Sequence, residues 1–216
     1  MSDYTLYCFA QSGNSYKAAL MLNLCGLNWT PRQVDYFAGE TRAPAYREIN
    51  VMGEAPVLEF GPVLAPTHIS QSGVILDFLA ERTGKFGWQD DDGRREILRW
   101  LLFDNHKLTS YTATYRFLVA LSKNPDPAVV AFFKARMLGA LGVLNQHLAS
   151  RDWVVGSHPT IADLSLCGYL YFEDEIGIDL GADFERVKRW LGRICALPGW
   201  AHPYDLMPGH PLPATG

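Results

Sequence analysis

Cysteine is scarce in this chain: four thiols, Cys8, Cys25, Cys167 and Cys195, stand among 216 residues, and no two form a C-x-x-C pair. That spacing argues against a thioredoxin-type dithiol and a cysteine-built zinc site, and no metal is expected. Each thiol falls in an apolar strand or helix pattern, so all four read as buried structural cysteines of a chain kept in a reducing cytoplasm. Basic clusters are missing too. Lys and Arg total 19 against 23 Asp and Glu, a net charge of −4. Without a basic run or an aromatic-basic stripe, neither nucleic acid nor an anionic membrane is the expected partner. The N-terminus, Met1-Ser-Asp-Tyr, has neither a positive n-region nor an apolar h-region, and no run is read as approaching the length of a membrane span.

What is present is enough apolar residue, 48%, to build one large domain or two small ones. The stretch that organises the rest runs from Thr5 to Gly26. Thr5 to Phe9 has strand character, Gln11-Ser-Gly-Asn14 reads as a polar turn, and Ala18, Met21, Leu22 and Cys25 recur at helical spacing before Gly26 ends the helix. Ser12, Asn14 and Ser15 therefore cluster where free backbone N–H groups and the positive end of a helix dipole meet, a place suited to an anion. Taken alone, Ser12 and Asn14 also fit an ordinary helix cap.

Trp29 to Asp35 reads as a second strand, parallel to the first across a right-handed crossover. A short helix over Pro44 to Ile49, a strand over Val57 to Phe60, a hairpin partner over Val63 to Ala65 and a helix opened by Ser70-Gln-Ser72 and stopped by Gly84 complete a βαβαββα order. Residues 85–92 read as a linker. Beyond it only helices are expected: Arg94 to Ser122, one started by Asp126-Pro127, Leu164 to Glu175 after a capping box at Thr160-Ile-Ala-Asp163, and Phe184 to Ala196. The Pro- and Gly-rich tail is expected to lie along the surface.

A small βαβαββα domain followed by a helical domain, with four motifs in order, resembles the soluble glutathione S-transferase family, in its bacterial theta-, zeta- or nu-like serine-type members. The motifs are Ser12-Gly-Asn-Ser-Tyr-Lys17, Asn50-Val-Met-Gly-Glu-Ala-Pro-Val-Leu58, Gln71-Ser72 and the Thr160 to Asp163 box. Val51 and Ala55 depart from the family's usual proline and valine or isoleucine. The resemblance implies a thioredoxin-like glutathione-binding domain over 1–84 and an all-helical domain over 93–216 carrying the electrophile site. It implies glutathione as co-substrate, a homodimer, and Ser12 and Asn14 beside the glutathione sulfur. Ser15, Arg42, Glu54, Ala55, Pro56, Gln71 and Ser72 would contact the rest of the tripeptide, with Pro56 in a cis bond. Phe103, His106, Tyr111 and Arg116 would face a hydrophobic electrophile.

The chemistry follows from the thiol. The thiolate is the nucleophile, so a site that donates hydrogen bonds to sulfur and sits in a helix field lowers the thiol pKa. No tyrosine stands in an activating place, because Tyr4 and Tyr7 lie in or before the first strand. The expected activity is attack of glutathione on an electrophilic small molecule. The alternatives are a glutathione-dependent disulfide reductase or peroxidase on the same scaffold, and a non-catalytic interaction protein that keeps the fold.

Overall fold

The apolar run that opens the chain forms β1 (Tyr4–Cys8), and the next segments form α1 (Gly13–Leu24) and β2 (Trp29–Gln33), parallel to β1 as the crossover requires. The computed structural model describes residues 3–212. A 3₁₀ turn at Glu40–Arg42 leads into α2 (Pro44–Ile49), started by a proline at its first position. Then come β3 (Val57–Phe60), β4 (Thr67–Ser70) and α3 (Ser72–Thr83). The four strands lie in the order β2-β1-β3-β4, with β3 antiparallel to both of its neighbours. This is the thioredoxin-like arrangement.

Strand alternation sorts the core into two layers. Tyr7, Phe9, Val34, Tyr46 and Val57 form one cluster, with Ile49 and Ala55 packed against it. Leu6, Cys8 and Leu58, all fully buried, take the opposite face of the sheet. The helix α3 buries Ile75, Leu76, Leu79 and Ala80 and leaves Val74 exposed.

The hairpin differs from expectation. Val63 and Leu64, read as strand, are 82% and 99% exposed in a loop, and the partner of β3 is the polar segment Thr67–Ser70, with Phe60 opposite Thr67. Pro62 and Pro66 flank the apolar residues and remove two ladder donors, which explains why the strand forms after them.

The second unit, Phe86–Leu197, is helical. It contains α4 (Asp91–Phe103), α5 (Thr109–Arg116), α6 (Pro127–His147), α7 (Ile161–Leu166), α8 (Glu173–Ile176), α9 (Leu180–Asp183) and α10 (Glu185–Cys195). The single helix expected over Arg94 to Ser122 is a run from Asp91 to Leu121 that widens into π turns at Asp104–Leu108 and Phe117–Leu121. At the first of these the buried Asp104 accepts from Thr109 Oγ1 at 2.8 Å and from Ser165 Oγ at 2.5 Å. The helix expected over Leu164 to Glu175 is broken, because α7 ends at Leu166 and the chain turns through Gly168.

Caps account for the boundaries. Asp90 accepts from Gly93 N–H at 2.7 Å, so α4 starts inside the residues read as linker. Asp126 accepts from Ala128 N–H at 2.8 Å beside Pro127. The capping box is present, and its fully buried Asp163 also accepts from Val154 N–H and Trp190 Nε1–H. In α10, Val187, Trp190, Leu191 and Ile194 form a buried stripe, each large apolar side chain contributing about 1.5–3 kcal/mol. By length and composition alone Pro127–Ser150 could cross a membrane, against the expectation that no run approaches that length. Packing within the unit accounts for its apolar face at Met137, Ala140, Leu141 and Leu144.

The tail was assigned with the helical domain. It groups instead with the first unit, which comprises Met1–Lys85 and Pro198–Gly216. A last short helix, α11 (Pro203–Leu206), lies in it. Ala10 N–H donates to Pro208 O at 2.8 Å, Gln11 Nε2 to Gly209 O at 2.8 Å, Tyr16 Oη to Ala201 O at 2.9 Å and Asn23 Nδ2 to Gly199 O at 2.5 Å.

Candidate active site

Ser12 ends the loop after β1 in extended backbone, φ −89° and ψ 106°, and its Oγ accepts from Ser15 N–H at 3.0 Å. It is therefore the N-cap of α1. Capping uses a lone pair of the hydroxyl and leaves its proton to donate elsewhere, so the cap and an anion-stabilising role are compatible. Ser15 Oγ, on the first turn of α1, is buried with no hydrogen-bond partner among the described residues.

Asn14 ties this helix start to a second one. Its Oδ1 accepts from Ser72 Oγ at 3.3 Å, and Ser72 is the first residue of α3. The N-termini of two helices of 12 residues each thus meet at one place, each bringing free N–H groups and positive dipole ends. Ahead of Ser72, Gln71 sits at φ 69° and ψ 116°, a conformation rare outside glycine. Its Nε2 reaches Glu54 Oε2 at 3.0 Å and Met52 Sδ at 3.0 Å.

Glu54 leads into Ala55–Pro56, whose peptide bond is cis, as the resemblance implied. The loop before it is tightly held. Asn50 Nδ2 and Tyr46 Oη both donate to Glu54 O, at 2.7 and 3.1 Å, and Met52 N–H donates to Asn50 Oδ1 at 3.2 Å. Gly53, at φ +64°, has no room for a side chain, since a Cβ there would lie 2.9 Å from Thr41 O. Ser12, Asn14, Ser72, Gln71, Glu54 and Ala55 therefore form one unbroken series of neighbours and hydrogen bonds.

Arg42 stands apart from that series, exposed at the end of the 3₁₀ turn. The four residues read as facing an electrophile belong to the helical unit. Phe103 makes an edge contact with Trp100 at 5.3 Å between ring centroids, His106 is exposed, and Tyr111 packs near Phe133 with Lys107 Nζ 5.9 Å from its ring centre. Arg116 differs from its expected role. It is 1% exposed, its Nε and a terminal nitrogen hold Glu175 Oε2 at 2.9 and 2.7 Å, and its guanidinium lies 3.6 Å over the Phe172 ring. Such a buried, paired charge is an internal anchor.

The remaining titratable groups narrow the chemistry. Tyr7 Oη donates to Glu59 Oε2 at 2.8 Å, so that hydroxyl is already engaged. Cys8 is buried, and burial pushes its thiol up to about 12. Cys25 and Cys167 are buried as expected, but Cys195 is exposed. It falls one position past Ile194, just off the buried stripe of α10. Sequence reasoning assigned no role to Tyr46. Asn50 and Gln11 carry no signal of a role either, because each donates to a backbone carbonyl.

The site has the parts of a thiolate cradle: the Ser12 and Ser15 hydroxyls, the Asn14 amide, and two helix starts. Comparison with known proteins bears on the family and the fold. Residues 11–82 match the domain described as Glutathione S-transferase, N-terminal domain, and residues 108–198 the one described as Glutathione S-transferase, C-terminal domain. A glutathione S-transferase structure from Pseudomonas fluorescens is 32% identical, with a TM-score of 0.87 over 94% of this chain and 100% of that one. A glutathione transferase from Burkholderia graminis, solved with two glutathione molecules bound per subunit, is 25% identical, with a TM-score of 0.80 over 92% of this chain and 85% of that one. The Disulfide-bond oxidoreductase YfcG of Escherichia coli is 26% identical over 88% of this chain and 89% of its own length. The chain spans 66% of the length of another relative, Protein URE2 of Eremothecium gossypii, at 25% identity and 92% coverage of this chain. The chain belongs to the glutathione S-transferase family.

Proposed function

We propose that this chain is a glutathione transferase that holds the glutathione thiol as thiolate against the start of α1. The observation that carries this reading is the series Ser12–Asn14–Ser72–Gln71–Glu54–Ala55, which lines up donors for a thiolate, a helix start for a carboxylate and, at Ala55, a backbone N–H for an extended peptide. The Ser12 O–H donates to sulfur, with Asn14 and Ser15 as further donors. Ser72 at the start of α3 receives the γ-glutamyl carboxylate. Gln71 brings no charge of its own, but the Glu54 carboxylate beside it supplies one for the ligand's amino group. The thiolate attacks an electrophilic carbon, a sulfur–carbon bond forms, and the leaving group departs with its electron pair. Candidates for contact with the electrophile that keep accessible surface are Phe103, His106 and Tyr111. The chain would work in a reducing cytoplasm, in keeping with its free cysteines, and as a homodimer.

A second reading is favoured by the relative named a disulfide-bond oxidoreductase and by the Burkholderia structure with two glutathione molecules. In it the same thiolate attacks a disulfide sulfur, forming a mixed disulfide and releasing one thiolate. A second glutathione thiolate then attacks the glutathione sulfur of that mixed disulfide, so the other half leaves as its thiolate and oxidised glutathione forms. Retention on immobilised glutathione tests the common core of both readings. Rates with a chloronitroarene, an organic hydroperoxide and a mixed disulfide then choose between them. A protein that is not retained and turns over none of the three is a scaffold that keeps the fold without the chemistry.

A further inference from the structure

Two buried side chains with no part in the series above, Tyr46 and Asn50, converge on a single atom. Tyr46 Oη donates to Glu54 O at 3.1 Å and Asn50 Nδ2 donates to the same oxygen at 2.7 Å. They are 3% and 5% exposed, so both donors are buried and their rotamers are held by packing. A carbonyl oxygen has two lone pairs, and this one has two donors to meet them. The described cis bonds are Ala55–Pro56 and His210–Pro211, so the Glu54–Ala55 peptide is trans. In a planar trans peptide the C=O and N–H point in opposite directions. Holding Glu54 O on Tyr46 and Asn50 therefore aims the Ala55 N–H the other way. Ala55 packs on the Tyr7, Phe9, Val34, Tyr46 and Val57 cluster, which fixes the adjoining side of the plane. Burial, with smaller contributions from Glu40 and Tyr7, pushes the Tyr46 phenol up, so it stays a donor through neutral and mildly alkaline pH.

We propose that Tyr46 and Asn50 are positioning residues for glutathione: by fixing the Glu54 carbonyl they orient the Ala55 N–H toward the backbone of the tripeptide. This rests on the glutathione reading of the site. Neither residue touches the thiol, so they govern affinity for the peptide and leave activation of the sulfur alone.

The test uses the full chain, reduced glutathione in a calorimeter, and initial rates with the electrophile or disulfide that the parent turns over. Tyr46→Phe removes one oxygen and keeps the ring in its cluster. It raises the glutathione Kd and KM about three- to tenfold, with kcat at saturating glutathione and the bound-thiol pKa equal to the parent's. Asn50→Asp keeps an acceptor for Met52 N–H but faces Glu54 O with another acceptor, and it raises Kd by about tenfold or more. Should Asn50→Asp fail to fold, Tyr46→Phe decides alone. Folded variants that bind glutathione as the parent does overturn the inference, as do variants that shift the thiol pKa or kcat while Kd stays fixed. A parent that takes up no glutathione overturns the functional reading itself and the inference with it.

Discussion

Replacing Ser12 by alanine separates the cap that its hydroxyl forms from the donor role proposed for it. As N-cap, Ser12 Oγ accepts from Ser15 N–H at 3.0 Å in a place only 4% exposed. Losing such a cap costs about 1 kcal/mol, within a range of roughly 0.5–2, and lowers Tm by about 2–4 °C for a chain of this size. In the proposed role as donor to the thiolate, the same hydroxyl would make a hydrogen bond to a charged acceptor worth about 1.5–3 kcal/mol. At 1.36 kcal/mol per unit, the bound thiol's pKa rises by about one to two units. Turnover below that pKa falls by about ten- to a hundredfold, while the Kd for glutathione moves little because other residues hold the peptide. A thermal melt reads the first task, and a pH titration of thiolate absorbance in the glutathione complex reads the second. Asn14→Ala is the control, since Asn14 is engaged by Ser72 Oγ at 3.3 Å yet keeps its amide protons for a ligand. If Ser12→Ala melts lower but its bound thiol titrates like the parent's, Ser12 is a cap only. A rise in thiol pKa confined to Asn14→Ala would then move the role to the asparagine.

Other outcomes follow from burial and charge. Ser15→Ala removes a buried hydroxyl without a partner among the described residues and should leave stability unchanged or raise it by up to about 1 kcal/mol in urea unfolding. Asp163→Ala strands the Val154 and Thr160 N–H groups and Trp190 Nε1–H, which now donate at 2.8–2.9 Å, and should cost about 3–6 kcal/mol, read by the same unfolding. Burial pushes Glu59 up, but hydrogen bonds from Tyr7 and His68, with the charges of His68 and Arg32, outweigh it and hold the carboxyl below its usual range. Its contribution is therefore present above the ordinary carboxylate pKa of about 4.3 and lost as pH falls through the lower folded value. Melting temperature followed on acidification should fall less steeply in Glu59→Gln than in the parent, and equal slopes would refute the assignment.

The parts of this protein legible in its sequence are those whose signal lies in side chains at fixed spacing. The Ser12 cap, the Asp126-Pro127 start and the Thr160–Asp163 box could be read because the residue that caps is the residue that is written. The loop holding Ala55–Pro56 was legible by family likeness. The docking of the tail and the roles of Tyr46 and Asn50 were illegible for one cause: their partners are backbone carbonyls, which every residue carries. The tail docks through the oxygens of Gly199, Ala201, Pro208 and Gly209, and Tyr46 and Asn50 meet on the oxygen of Glu54. No pattern of residue types marks such an acceptor. The strand Thr67–Ser70 was missed for a different reason. Its polar residues have a weaker strand pattern than Val63 to Ala65, and Pro62 and Pro66 keep the apolar residues out of the ladder.

The order in which these pieces leave the ribosome gives the tail a further meaning. When residues up to Lys85 have been synthesised, the sheet and its three helices are complete in sequence, but the carbonyls that meet Ala10 N–H, Gln11, Tyr16 and Asn23 have yet to be made. They arrive only after all of Phe86–Leu197. The loop just before Ser12 is thus begun before the helical unit is translated and finished after it. During synthesis, secondary structure in the first unit can precede, by the whole length of the helical unit, the contacts that brace α1 and the loop before it.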